Sequence, residues 1–167
     1  CVLSSNSPLF PTPFRMPPNP DHFVLLPAFA ATEGRPATLG VLGGGQLGFM
    51  FVQAAQRMGY RTAVLDPDAN SPAGLVSHHH FQAGYDDAQA LAAMSRVCDA
   101  VTTEFENVPA HTLETLAKTT PVSPQAHAVA VAQDRVVEKA HFQASAASSG
   151  VGPVPYAVLT TDSDLAR

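Results

Sequence analysis

Residues 38–50, TLGVLGGGQLGFM, decide how the chain is read. A short apolar run, Thr38 to Leu42, ends in three consecutive glycines, and Leu47, Met50, Phe51, Ala54, Ala55 and Met58 then recur at helical spacing as far as Gly59, a C-terminal stop. The order is strand, glycine turn, helix. Gly43, Gly45 and Gly48 satisfy G-x-G-x-x-G in the context that gives the motif meaning. Glycine serves a turn that requires positive φ, a backbone that approaches an anion, or a helix packed closely on a strand, and the helix N-terminus offers unpaired N–H groups to a phosphate. A dinucleotide, a single phosphate and a purely structural turn all remain open from this stretch alone.

Working outward, Arg61 to Asp66 is a second apolar strand, closed by Asp66-Pro67, and PDANSPAG (67–74) reads as loop. His80 to Ala83 is expected as a short third strand. Asp86 or Asp87 then caps a helix running to about Val97, with Leu91 and Met94 on its buried face. Ala100 to Phe105 is a fourth strand, ending in TEFEN. Helices are expected over 109–118, 124–132 and 134–148. Strand and helix alternating with short connections means an α/β fold, a Rossmann-like, doubly wound parallel sheet.

The ends differ in character. Eight of the fifteen prolines fall within residues 1–36, where missing amide donors and fixed φ exclude helix and sheet interior, so residues 1–37 are expected to form a disordered extension. Residues 38–149 form the domain. Residues 150–167 lose periodicity and read as a linker running into a further domain, with an incipient helix at Asp162 or Ser163. The first residue is Cys1, which suggests a fragment, and Met16 offers an alternative start.

Composition narrows the function. A net charge of −5, without a Lys/Arg cluster, argues against nucleic-acid binding. No apolar run is long enough to span a bilayer, and the N-terminus lacks the pattern of a signal peptide. Cys1 and Cys98 stand far apart with no metal-ligand spacing, consistent with a reducing, cytoplasmic setting.

Two acidic positions compete for the ligand. Asp66 closes the second strand about 20 residues after the glycine loop, where an acid commonly binds an adenosine ribose, and so supports a nicotinamide-dependent oxidoreductase. Glu104, the first acid of TEFEN, follows the fourth strand, where a carboxylate can accept hydrogen bonds from the vicinal hydroxyls of a mononucleotide; the alternative is a solvated acidic loop capping the next helix. His78, His79 and His80 cannot converge on a metal from an extended chain, whose side chains alternate between faces, and read as an exposed loop. His111, His127 and His141 have no partners that would make a catalytic triad.

The blocks GGGQLGFM, LDPDANSPAG, YDD, TEFENVP, VSPQAHAVAVAQDRVVEKAHF and GVGPVPYAVL occur in the order and spacing of the 5-(carboxyamino)imidazole ribonucleotide synthases, ATP-grasp enzymes of purine biosynthesis. From Thr38 onward the chain resembles the N-terminal part of that family. The resemblance implies an ATP-dependent ligase in which bicarbonate is activated through a carboxyphosphate-like species and carboxylates the amine of 5-aminoimidazole ribonucleotide. It implies that Gly45, Gln46 and Leu47 hold the ribonucleotide, with backbone amides near its phosphate, and that Glu104 binds the ribose hydroxyls. It further implies that Arg135 reaches ATP phosphates, whereas the residues alone suggest a surface arginine paired with Glu138. Magnesium ligands, lysines and a flexible glycine-rich loop belong to the family's later domains, so this chain alone should not catalyse the reaction; the full-length enzyme is expected to be a homodimer. Phe49 stands where the family commonly has arginine. A third reading is a noncatalytic nucleotide-binding module ending near Arg167.

Overall fold

The computed structural model describes residues 36–161. The expected extension therefore lies outside the described residues, except at its last two positions. Ala37 is buried and its carbonyl accepts the Arg61 N–H at 2.9 Å, so the ordered fold already includes it. The incipient helix at 162–163 also lies outside them.

Four strands form one parallel sheet in the order β3-β2-β1-β4: β1 (Thr38–Leu42), β2 (Arg61–Leu65), β3 (His79–Phe81) and β4 (Ala100–Thr103). Among the described residues six helices alternate with or follow them: α1 (Gln46–Arg57), α2 (Pro72–Val76), α3 (Ala88–Val97), α4 (Ala110–Ala117), α5 (Ala126–Gln133) and α6 (Arg135–Ser149). The α/β reading holds. Because side chains alternate along a strand, Val41 and Val64 meet Val52 of α1 and Ala73 of α2 on one face, while Leu42, Ala63 and Leu65 meet Leu91, Met94, Leu113 and Leu116 on the other. Each large side chain fully buried in these layers contributes roughly 1.5–3 kcal/mol. Gly40 leaves room for α3 to lie close, since a Cβ there would sit 2.6 Å from Met94 Cε and 2.8 Å from Cys98 Sγ.

Local chemistry explains the ends of the elements. Asp87 caps α3, its Oδ1 accepting the Ala90 N–H at 2.8 Å, and Asp134 caps α6 through the amides of Val136 and Val137. Gly59 and Gly150 follow α1 and α6 with φ of 87° and 71°, the left-handed geometry that glycine adopts without cost.

Four expectations need correction. The stretch 67–74 is not wholly loop, since Pro72 opens α2: proline fits the first helical position, where its missing N–H has no partner to lose. The third strand spans His79–Phe81 and the fourth stops at Thr103, two residues before the expected end, because Glu104 and Phe105 turn away toward the glycine loop and α4. His79 and His80 accordingly belong to β3 and not to an exposed loop. Residues 150–161 form neither helix nor strand.

Candidate functional site

All four strands run the same way, so the segments that follow them gather along one edge. Gly43–Gly45 follow β1, Asp66 follows β2, Tyr85 lies beyond β3 and Glu104 follows β4. β1 and β4 flank the point where the strand order reverses, the usual ligand position in such sheets.

Two carboxylates hold the glycine loop. Glu104 Oε1 accepts the Gly45 N–H at 3.2 Å, and its Oε2 accepts the Gly48 N–H. Gly45 is the N-cap of α1 and Gly48 its third residue, so one side chain from β4 does what a capping box divides between two residues of the helix itself. That accounts for a helix with neither a side-chain cap nor an acid in its first turn. Asp66 Oδ2 accepts the Gly44 N–H at 2.7 Å and the Tyr85 hydroxyl at 3.1 Å, and its Oδ1 accepts the Asp68 N–H at 2.8 Å. The Gly44 carbonyl in turn accepts the Ala73 N–H of α2 at 2.9 Å.

Sterics enforce this geometry. Gly43 has φ of +104°, and a Cβ on Gly44 would lie 2.5 Å from Ser71 Oγ. At Gly48 a Cβ would press on the Gly43 carbonyl and lie 2.6 Å from Glu104 Oε2. The glycines thus let two acidic side chains and a second helix close on the backbone.

The loop amides divide into two groups. Those of Gly44, Gly45 and Gly48 are bonded to carboxylates, whereas those of Gln46 and Leu47, on the exposed first turn of α1, have no partner among the described residues. These two amides lie at the positive end of the helix dipole. Beside them a cleft of about 310 Å³ opens between the TEFEN segment and α5, lined by Thr103, Glu104, Phe105, Pro124, Ala128 and Val129 among others. Its size falls at the lower end of small-molecule sites. Gln133 ties the end of α5 to the segment after β4, its Nε2 donating to the Glu106 and Val108 carbonyls at 2.6 Å each.

The residues picked out in sequence separate accordingly. Gly45, Gln46, Leu47 and Glu104 come together. Arg135 lies at the start of α6, 76% exposed, its guanidinium paired with Glu138, and does not line the cleft. Phe49 packs against the Val41–Val52–Val64–Ala73 cluster. Asp66 supports the loop through its amide and hydroxyl bonds. The three histidines diverge: His78 Nδ1 accepts the Thr62 N–H at 3.1 Å, His79 Nε2 meets Arg61 at 3.3 Å, and His80 Nε2 donates to the Asp66 carbonyl at 3.2 Å. Among the described residues no group of three or more His, Cys, Asp or Glu is arranged to hold a metal ion, and no helix is long and apolar enough to cross a membrane.

Tyr85 enters the sequence only as the first residue of the YDD block, with no role assigned to it. Burial, reinforced by the neighbouring Asp66 and Glu104 carboxylates, pushes its hydroxyl well above the ordinary tyrosine value, so it stays a donor. An aromatic residue just ahead of a helix cap is the only local signal it carries.

Residues 36–133 match the ribonucleotide synthetase preATP-grasp domain. The N5-carboxyaminoimidazole ribonucleotide synthases of Staphylococcus aureus and Brucella melitensis are each 40% identical over 129 residues, 77% of this chain. The chain spans about a third of those relatives' length (33% and 34%). Among solved structures, the Staphylococcus aureus N5-carboxyaminoimidazole synthetase complexed with ADP superposes with a TM-score of 0.68 at 39% identity, covering 78% of this chain and 34% of that one. The Aspergillus clavatus synthase in complex with ADP and 5-aminoimidazole ribonucleotide gives 0.58 at 34% identity, covering 65% and 29%.

Proposed function

From the premise that this chain belongs to the ribonucleotide synthetase preATP-grasp domain family, we propose that it is the ribonucleotide-binding part of an ATP-dependent synthase that carboxylates 5-aminoimidazole ribonucleotide with bicarbonate in purine biosynthesis. The observation that carries this reading is Glu104, anchored by two amides at the strand-order reversal. A carboxylate has about four lone-pair positions. Two are taken by Gly45 and Gly48, which leaves the others to accept the hydroxyls of a vicinal diol while the amides keep the side chain in place.

In this reading residues 38–149 form the binding unit and 150–167 lead onward. The free amides of Gln46 and Leu47, with Gly45 setting the turn, receive a polar group of the ribonucleotide. Arg135 would exchange Glu138 for an ATP phosphate, which its exposure permits. ATP would supply the phosphoryl group that activates bicarbonate. Among the described residues no group is arranged to hold a metal ion; in this reading magnesium sits on residues other than those described, the complete synthase is a cytoplasmic homodimer, and residues 38–149 by themselves are expected to bind without turnover.

The oxidoreductase alternative is not favoured. The relatives are carboxyaminoimidazole ribonucleotide synthases, and Asp66 already accepts three hydrogen bonds from its own chain. Calorimetry with 5-aminoimidazole ribonucleotide and its 2′-deoxy analogue tests the proposal. The ribose form is expected to bind roughly tenfold tighter, as loss of one charge-assisted hydrogen bond predicts, and Glu104→Ala is expected to abolish that preference. A preference that survives the substitution removes Glu104 from the ribose site, and binding of NAD in place of the ribonucleotide overturns the reading.

A further inference from the structure

We propose that Tyr85 is a positioning residue that ties Asp66 and Glu104 into one brace, so that the placement of the ribonucleotide-binding carboxylate depends on an aromatic side chain from beyond β3. This rests on the reading of Glu104 as the ribose acceptor.

Tyr85 meets both halves of the site. Its hydroxyl donates to the same Asp66 oxygen that accepts the Gly44 N–H, and its ring packs edge-on against Phe105, centroids 6.0 Å apart at 67°. Phe105 directly follows Glu104, and the Phe105 carbonyl accepts the Thr103 hydroxyl at 2.9 Å, so the ring contact bears on the turn that aims Glu104. The Tyr85 backbone is itself anchored, its carbonyl accepting the hydroxyl of buried Thr112 at 2.8 Å. A loop residue held by α4 thus reaches the acid after β2 with its hydroxyl and the segment after β4 with its ring. The glycine loop lies between them, its three carboxylate-bonded amides shared by the two acids.

Removing the hydroxyl leaves Asp66 held by the Gly44 and Asp68 amides alone and loosens the Oδ2 that the hydroxyl shares with Gly44. The Gly44 N–H then follows a less firmly placed oxygen, and Gly45, one residue on, shifts against Glu104. The effect should therefore reach amides that do not touch Tyr85.

Amide NMR of Tyr85→Phe and Tyr85→Leu, with ribonucleotide titration, provides the test. Tyr85→Phe is expected to move the Gly44, Gly45 and Gly48 amide resonances of the folded protein and to weaken 5-aminoimidazole ribonucleotide binding roughly fivefold, with the remaining spectrum nearly unchanged. Tyr85→Leu, which also removes the ring contact, should move Gly45 and Gly48 further. A merely stabilising tyrosine would lower Tm without moving these three resonances, and that result overturns the proposal. So does movement confined to Gly44, or unchanged affinity in both variants beside a wild type that binds. If wild-type protein fails to bind the ribonucleotide, the proposed function falls, while the three resonances still decide the brace: joint movement supports it and its absence overturns it.

Discussion

Replacing Glu104 with glutamine puts the capping role to a quantitative test. Both carboxylate oxygens accept an N–H of the glycine loop. In glutamine one oxygen becomes an NH2 group, so in either orientation one loop N–H faces a donor. Loss of one hydrogen bond to a charged group costs about 1.5–3 kcal/mol, and the lost charge at the α1 N-terminus adds about 0.3–1 kcal/mol. Partial exposure lets water recover some of this. The net expectation is a destabilisation of about 2 kcal/mol, or a fall in Tm of about 8 °C for a domain of this size. Glu106→Gln is the control, because Glu106 is exposed and its side chain makes no hydrogen bond among the described residues; it should stay within about 0.5 kcal/mol of wild type. Urea denaturation followed by circular dichroism measures both. A Glu104→Gln protein as stable as the Glu106→Gln protein would show that the carboxylate does not hold the loop.

Two further outcomes follow from the same geometry. Gly48→Ala should destabilise by about 2 kcal/mol in the same assay, although glycine to alanine inside a helix normally stabilises by about 1 kcal/mol, because the new Cβ has no room between the Gly43 carbonyl and Glu104; a gain in stability would refute the close approach. Partial burial, with Arg61 and His79 adding to it, holds the His78 ring below its ordinary value of 6.5. The neutral ring is favoured in the folded state, so its contribution to stability is present above about pH 6.5 and is lost as pH falls through the lower folded value. His78→Asn, whose side-chain oxygen can replace Nδ1 as acceptor for the Thr62 N–H, should lose that part of the acid slope in urea titrations between pH 7 and 4; an unchanged slope would place the titration elsewhere.

Much of the fold was legible because its signals are local. Apolar runs of strand length, helical spacing after the glycines, the cap at Asp87 and the stop at Gly59 each depend on a few neighbouring residues, and each is present in the structure. The helix at 72–76 was missed because a proline in a polar stretch looks like a breaker until Ser71 and Pro72 are seen to open a turn against Gly44. At the candidate site, the family resemblance points to Gly45, Gln46, Leu47 and Glu104, which lie together in the fold, but the partners of the loop amides are not legible in sequence.

The sequence by itself determined the α/β class, the glycine turn and the acids available at the ends of β2 and β4, since periodicity and residue type require no knowledge of distant contacts. Only the tertiary structure decided which amides those acids would take. Gly45 and Glu104 are 59 positions apart, and Asp66 and Tyr85 are 19 apart. Their hydrogen bonds exist because a parallel sheet brings every strand's C-terminal end to one edge, and that juxtaposition is a property of the sheet, absent from any single stretch of chain.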